Sequence, residues 1–193
     1  ICISVQRVFV HAKIFDSWTD KFVSSARSLK KGDPENETTQ LSSLIDTASA
    51  ERIEKWVNEA VENNAKLLCG GIRDKSFFDA TVLTNVDPEL PVASEEAFGP
   101  VAVIERFDDF GDAVGAANQS KYGLQAGVFT QDLANANFAA EHLEFGSVIV
   151  NDVPSFRVDN MPYGGTKNSG FGREGVRYAM EEMTELRLIV TEP

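Results

Sequence analysis

Cysteine, histidine and positive charge are all scarce in this chain. Its two cysteines, Cys2 and Cys69, lie far apart, and only two histidines accompany them. With no Cys-x-x-Cys pair, neither a disulfide framework nor a cysteine–histidine metal site is expected, and a reducing, cytoplasmic compartment fits best. Lysine and arginine total 18 against 30 aspartates and glutamates, a net charge of -12. Nucleic acid and anionic membrane surfaces attract basic patches, so neither is an expected partner. No apolar run approaches the roughly 18 residues that a membrane-spanning helix requires. An initiator methionine is lacking too, and a chain that opens on Ile1 reads as a fragment. Any targeting segment upstream, including an organellar one, would lie outside it.

What is present is the make-up of an ordinary globular protein: 193 residues, 42% hydrophobic and 25% charged, enough for one domain with a sizeable core. Residues 7–10 read as a strand. Asp16 or Ser17 is placed to cap a helix whose Trp18, Phe22, Ala26 and Leu29 repeat at helical spacing. A second helix is expected from near Ser49, where Ile53, Trp56, Val57, Ala60 and Val61 form one apolar stripe. Further strands are expected at 66–69, 81–83, 101–107, 126–130 and 147–151. Helices are expected at 110–118, after Leu133 and after Gly175. This alternation argues an α/β domain with a largely parallel, twisted sheet and helices on both faces. The domain is expected over 1–183. Residues 184–193 follow as a terminal strand in which Leu186, Leu188 and Val190 alternate with Glu185, Arg187 and Ile189. No partner for that strand is evident in the chain, and an unpaired edge with an apolar face invites association.

Chemistry enters first with Cys2. A cysteine just ahead of a strand can be a nucleophile or simply a small buried thiol. No histidine, lysine or carboxylate stands between Ile1 and Gln6, so distant segments would have to supply a base and oxyanion donors. Cys69, ending a short strand before Gly70 and Gly71, reads as a packed core thiol. The run Gly170-Phe171-Gly172-Arg173-Glu174-Gly175 matches G-x-G-x-x-G. That fingerprint needs a buried strand before it and an acidic residue about 20 positions on. Here Asn160-Met161-Pro162-Tyr163 precedes it and the chain ends 18 residues after Gly175. The glycines are expected instead to let a loop pack close to another backbone.

Four stretches together resemble the catalytic part of an aldehyde dehydrogenase. They are Cys2-x-x-x-x-Arg7-x-Phe9-Val10, Glu95-Glu96-Ala97-Phe98-Gly99-Pro100, Tyr122-Gly123-Leu124 with Val128-Phe129-Thr130, and Gly164-Gly165-x-Lys167-x-Ser169-Gly170-x-Gly172-Arg173-Glu174. They occur in family order, begin one residue before the family's catalytic cysteine and cover essentially the whole chain. Leu41-Ser42-Ser43-Leu44 and Ala80 depart from the family's usual Gly-Pro and Pro, away from these motifs.

The resemblance implies that Cys2 attacks an aldehyde carbonyl, passes a hydride to NAD or NADP and leaves a thioester that water hydrolyses. It implies that Glu96 and Phe98 face the nicotinamide half of the cofactor, against the plain reading of a solvated acidic loop with a core phenylalanine. It places Phe156, Arg157 and Tyr163 at the substrate mouth. A guanidinium there can fork onto an anionic tail, although Arg157 could equally pair with Asp159 or sit at a subunit contact. The loop looks most like that of members oxidising small, often oxygenated or acidic aldehydes. The general base, the side-chain oxyanion donor and the main cofactor domain belong to family segments before residue 1, so the fragment alone is expected to be inactive. A homodimer or homotetramer is implied, its subunits joined through the terminal strand. Two other readings stand beside this one: a coenzyme A-acylating relative and a non-enzymatic assembly module.

Overall fold

The computed structural model describes residues 3–193; Cys2 lies outside the described residues. Their contacts divide the chain into two compact units, with the boundary between Ala113 and Val114.

The first unit contains strand β1 (Arg7–His11), helices α1 (Phe15–Ser28) and α2 (Thr47–Glu62), strands β2 (Lys66–Cys69), β3 (Arg73–Asp74), β4 (Phe77–Phe78) and β5 (Thr81–Thr84), the short helix α3 (Pro91–Ser94) and strand β6 (Val101–Phe107). Four strands form one sheet in the order β1-β6-β5-β2. β6 runs parallel to both neighbours, with Arg7 opposite Val103 and Leu83 also opposite Val103, and only the edge strand β2 is antiparallel. β6 opens on the apolar, buried run Val101-Ala102-Val103-Ile104 and β5 carries the buried pair Val82-Leu83, because both faces of these strands are covered, as in parallel sheets generally. Successive side chains point to opposite faces. Val10, Cys69, Val82 and Ile104 meet Trp18, Phe22 and Ala26 of α1 on one face. Leu83, Val101 and Val103 meet Ile53, Val57 and Ala60 of α2 on the other, with Phe78 and Val92 closing that core. Each fully buried valine, leucine, isoleucine or phenylalanine among them contributes about 1.5–3 kcal/mol by leaving water. The α/β class, the mainly parallel sheet and the helices on both faces are those expected from the sequence.

Of the expected apolar stripe of α2, Ile53, Val57 and Ala60 are buried and Trp56 partly so, while Val61 in the last turn is exposed; the helix starts at Thr47, and Asp46 caps it by accepting a 2.7 Å hydrogen bond from the Ser49 N–H. The expected cap of α1 is corrected more substantially. A 3-10 turn at Ala12–Ile14 leads directly into the helix, Ile14 stands at the cap position with no side-chain bond, and Asp16 falls inside the first turn. There its charge favours the positive end of the helix dipole without capping it. Ser17 donates to the Ile14 carbonyl at 3.1 Å.

Helix α4 (Phe110–Asn118) crosses the boundary into the second unit, which adds β7 (Tyr122–Gly123), β8 (Gln125–Val128), α5 (Leu133–His142), β9 (Ser147–Val150), β10 (Thr166–Lys167) and α6 (Val176–Glu182). β8 pairs in parallel with β9, while β7 and β10 form a short antiparallel ladder. Asp132 caps α5 by accepting from the Ala134 N–H at 2.8 Å. The glycine-rich loop has no preceding strand of the dinucleotide type. Its glycines serve close backbone approach, since a Cβ on Gly164 would stand 2.6 Å from the Gly172 carbonyl oxygen. The strand expected near the C-terminus is not formed: residues 184–193 have no regular structure, and Leu186, Leu188, Ile189 and Val190 are exposed. A strand needs a ladder partner for its N–H and C=O groups, and among the described residues none pairs with this stretch. No helix among the described residues is long and apolar enough to cross a membrane.

Candidate active site

In the first unit the loop after α3 carries Glu96 and Phe98. Glu96 is exposed. Phe98 is 54% exposed and has φ of 49°, so it is not the core phenylalanine of the plain reading. A bulky residue in the left-handed region is an outlier that surrounding structure must impose. Here the surroundings do so from three sides. Gln6, immediately before β1, donates from Nε2 to the Val92 and Glu95 carbonyls at 2.9 and 2.7 Å and accepts from the Ala97 N–H at 3.0 Å. Arg52 of α2 donates to the Glu96 and Ala97 carbonyls at 3.4 and 2.8 Å, its guanidinium lying 4.4 Å from the Trp56 ring centre. Gly99 packs so closely on Ile53 and Leu44 that a side chain there would strike the core. Ala97 is buried between two outward-facing neighbours. The loop therefore offers a carboxylate and an aromatic ring to the outside from a rigid base.

In the second unit the stretch after β9 carries Phe156, Arg157 and Tyr163. Gln125 of β8 holds the stretch by donating to the Pro154 and Phe156 carbonyls at 2.7 and 3.2 Å. Phe156 is half exposed. Among the described residues Arg157 pairs with Glu174 and not with Asp159: its Nη2 donates to Glu174 at 2.9 Å, and its guanidinium lies 4.2 Å from the ring centre of the buried Tyr163. Tyr163 and Glu174 also exchange backbone hydrogen bonds, at 3.1 and 2.6 Å. Arg157 thus latches this stretch to the glycine-rich loop. The pair is exposed at both ends, where such bridges contribute only about 0–1 kcal/mol. Nη1 and Nε have no partner among the described residues, which leaves donors for an anion.

Cys69 is a buried free thiol whose Sγ lies 3.7 Å from the Ala80 carbonyl. Burial pushes its pKa up, the nearby Arg27 cation opposing only in part, so it is a poor thiolate. Among the described residues no group of three or more His, Cys, Asp or Glu side chains could hold a metal ion. Gln6, Arg52 and Glu174 escaped the sequence reading. Gln6 stood inside the cysteine motif as an unspecified spacer, Arg52 on the polar face of a helix and Glu174 at the end of a glycine motif. Their partners are up to 91 residues away in the chain.

Residues 1–189 match the aldehyde dehydrogenase family. The chain belongs to that family. A 3-sulfolactaldehyde dehydrogenase of Priestia megaterium is 47% identical over 190 residues, covering 98% of this chain and 40% of that protein. A lactaldehyde dehydrogenase of Methanococcus aeolicus is 45% identical over 98% of this chain and 41% of its own. Among solved structures, the family member aldehyde dehydrogenase 21 of Physcomitrella patens, in complex with the reaction product succinate, superposes with a TM-score of 0.94 at 46% identity, over 96% of this chain and 38% of that one. The glyceraldehyde-3-phosphate dehydrogenase GapN of Methanocaldococcus jannaschii, complexed with NADP, superposes with a TM-score of 0.90 at 44% identity, over 95% and 40%. This chain therefore spans about two fifths of the length of the relatives it matches.

Proposed function

We propose that the chain is the thiol-bearing part of an aldehyde dehydrogenase that oxidises a small, oxygenated or acidic aldehyde to its carboxylic acid with NAD or NADP. The observation that carries this reading is the loop at Glu96 and Phe98, a pinned backbone that presents a carboxylate and a ring outward from a strained turn, within a family match over nearly the whole chain. The residues fit a nicotinamide nucleotide. The Glu96 carboxylate can accept from two ribose hydroxyls, and the Phe98 ring can pack against the same half of the molecule. NAD(P), when bound, supplies the hydride acceptor; its remaining contacts are assigned to a cofactor domain outside this chain.

Cys2 acts as a thiolate on the aldehyde carbonyl carbon, and the carbonyl π electrons move onto oxygen. Its own backbone N–H would donate to that oxyanion, where a preorganised donor is worth about 3 kcal/mol of barrier. The resulting thiohemiacetal gives up a hydride and becomes a thioester, which water hydrolyses to the acid and the free thiol. Donors of Arg157 not engaged by Glu174 would hold an anionic substrate tail beside Phe156 and Tyr163. The names of the relatives, acting on sulfolactaldehyde and lactaldehyde, support a short oxygenated substrate, and the sulfonate of the first together with the succinate bound to one solved neighbour supports an anionic tail. Residues 184–193 are assigned to subunit pairing in a homodimer or homotetramer.

The test is NAD(P)H formation by the full-length protein with short hydroxylated, carboxylated and sulfonated aldehydes. Free acid is the expected product, and acyl-coenzyme A instead would identify the acylating chemistry. Cys2→Ala is expected to abolish turnover, while Cys69→Ala keeps it near the wild-type rate. A Cys2 variant with near-normal kcat would overturn the mechanism. The 193 residues alone are expected to fold without turnover.

A further inference from the structure

We propose that Gln6 is a positioning residue that locks the cofactor-facing loop to the segment bearing the nucleophile. The inference rests on the reading of Glu96 and Phe98 as the cofactor-facing pair. Gln6 stands four residues after Cys2, and its own carbonyl accepts from the Val103 N–H of β6 at 2.7 Å, tying its backbone to the central sheet. A primary amide has two donor hydrogens and one acceptor oxygen. All are spent on α3 and the loop that follows it: Nε2 donates to Val92 and Glu95, and Oε1 accepts from the Ala97 N–H. The last two contacts bracket Glu96, and Ala97 immediately precedes the left-handed Phe98. All three partners are backbone atoms, so the clamp sets where the loop's main chain lies whatever side chains it carries.

The chemistry of the amide is specific. A carboxylate of the same size would oppose two carbonyl oxygens, and an apolar side chain would leave two carbonyls and an N–H unpaired. Hydride transfer needs reacting atoms held near 3–3.5 Å, and a misplacement of about 1 Å can cost about 10²-fold in rate. Gln6 does not touch the reacting atoms in this role. It keeps the thiol's segment and the nicotinamide's support in one register.

The full-length protein with Gln6→Ala and the isosteric Gln6→Glu tests this. Acylation of Cys2 by p-nitrophenyl acetate releases p-nitrophenolate and leaves an acetyl thioester, so it needs the thiol but no hydride transfer. Both variants should keep that rate within about twofold while the single-turnover rate of NAD(P)H formation falls roughly tenfold to a hundredfold. The deuterium isotope effect on kcat with C1-deuterated aldehyde should rise as hydride transfer becomes limiting. Unchanged NAD(P)H formation in both variants would overturn the proposal. So would parallel loss of both activities, or failure of both variants to fold, since each outcome makes Gln6 a structural support only. A wild-type protein that forms no NAD(P)H with any aldehyde, yet is acylated by the ester, would instead remove the proposed function on which the inference stands.

Discussion

The two units of this chain are held together by different means. In the first, the largest fully buried apolar side chains, from Phe78 and Ile53 to Leu83 and Ile104, lie in two layers on either face of one sheet. In the second, Ala139 and Tyr163 are buried but Phe129, Leu133, Phe171, Val176 and Met183 are exposed. What holds the second unit close is backbone against backbone. Gly146 faces the Gly164 carbonyl with no room for a Cβ, and Gly164 in turn faces Gly172. One unit is a side-chain core and the other a stack of glycine-lined loops. A change in side-chain volume should therefore injure the first, and a change in backbone clearance the second.

The largest test of that contrast is truncation of a core ring. Phe78→Ala should cost about 3–5 kcal/mol through lost burial and a residual cavity, whereas Phe171→Ala, at a fully exposed ring, should stay within about 0.5 kcal/mol. Denaturant unfolding of both variants would measure the gap, and equal costs would erase the contrast. The converse test adds one methyl group. Gly146→Ala should destabilise by about 1–3 kcal/mol or more, because its Cβ would land on the Gly164 carbonyl oxygen and a packed backbone cannot move aside cheaply. Gly115→Ala, in α4 with nothing within 4 Å, should stabilise by up to about 1 kcal/mol through helix propensity.

A third test asks whether the latch of the second unit is functional. Arg157→Leu should change stability by no more than about 1 kcal/mol, because its bridge to Glu174 is exposed. It should raise KM for acidic aldehydes by about tenfold, the worth of a charge-assisted hydrogen bond, and leave neutral aldehydes of similar size alone. Equal losses on both substrate classes would make Arg157 a loop tie only.

The smallest effect concerns the cap of α2 in the first unit. Hydrogen bonds from Ser49, aided by the Arg52 charge, hold the Asp46 carboxyl below its ordinary range. A folded-state value below the unfolded one means that the cap's contribution is complete above about pH 4 and is lost as pH falls through the folded value. Asp46→Ala should lower the Tm at pH 7, and the difference from wild type should shrink as pH falls through the folded-state value. Melting curves across that range would show it, and a pH-independent difference would mean that the carboxylate is not the capping species.

Parts of this architecture were legible before any coordinates. Ile53, Val57 and Ala60 of α2 and the apolar run that opens β6 are buried where their spacing places them, since burial on a helix or strand face is a local signal. The start of α1 was misread because a 3-10 turn, closed by backbone bonds and by His11 accepting from the Lys13 N–H, replaced the side-chain cap that Asp16 or Ser17 would have supplied. Arg157 was read with Asp159 as a possible partner, yet it reaches across 17 residues to Glu174. Tyr163 pairs with Glu174 through the backbone, and that pairing brings the carboxylate into range.

By itself the sequence determined the α/β class, the family and the two helix stripes up to their last members, Leu29 and Val61, which are exposed, because residue spacing and motif order are properties of the chain alone. It also marked Glu96 and Phe98 as a pair. Only the tertiary structure decided that Phe98 is exposed in a left-handed turn, and that Gln6 and Arg52 both hydrogen-bond the backbone of that turn. The physical reason is separation along the chain. Hydrogen bonds between residues 44 to 91 positions apart leave no periodic trace in composition or spacing, and they exist only once the sheet has brought the segments together.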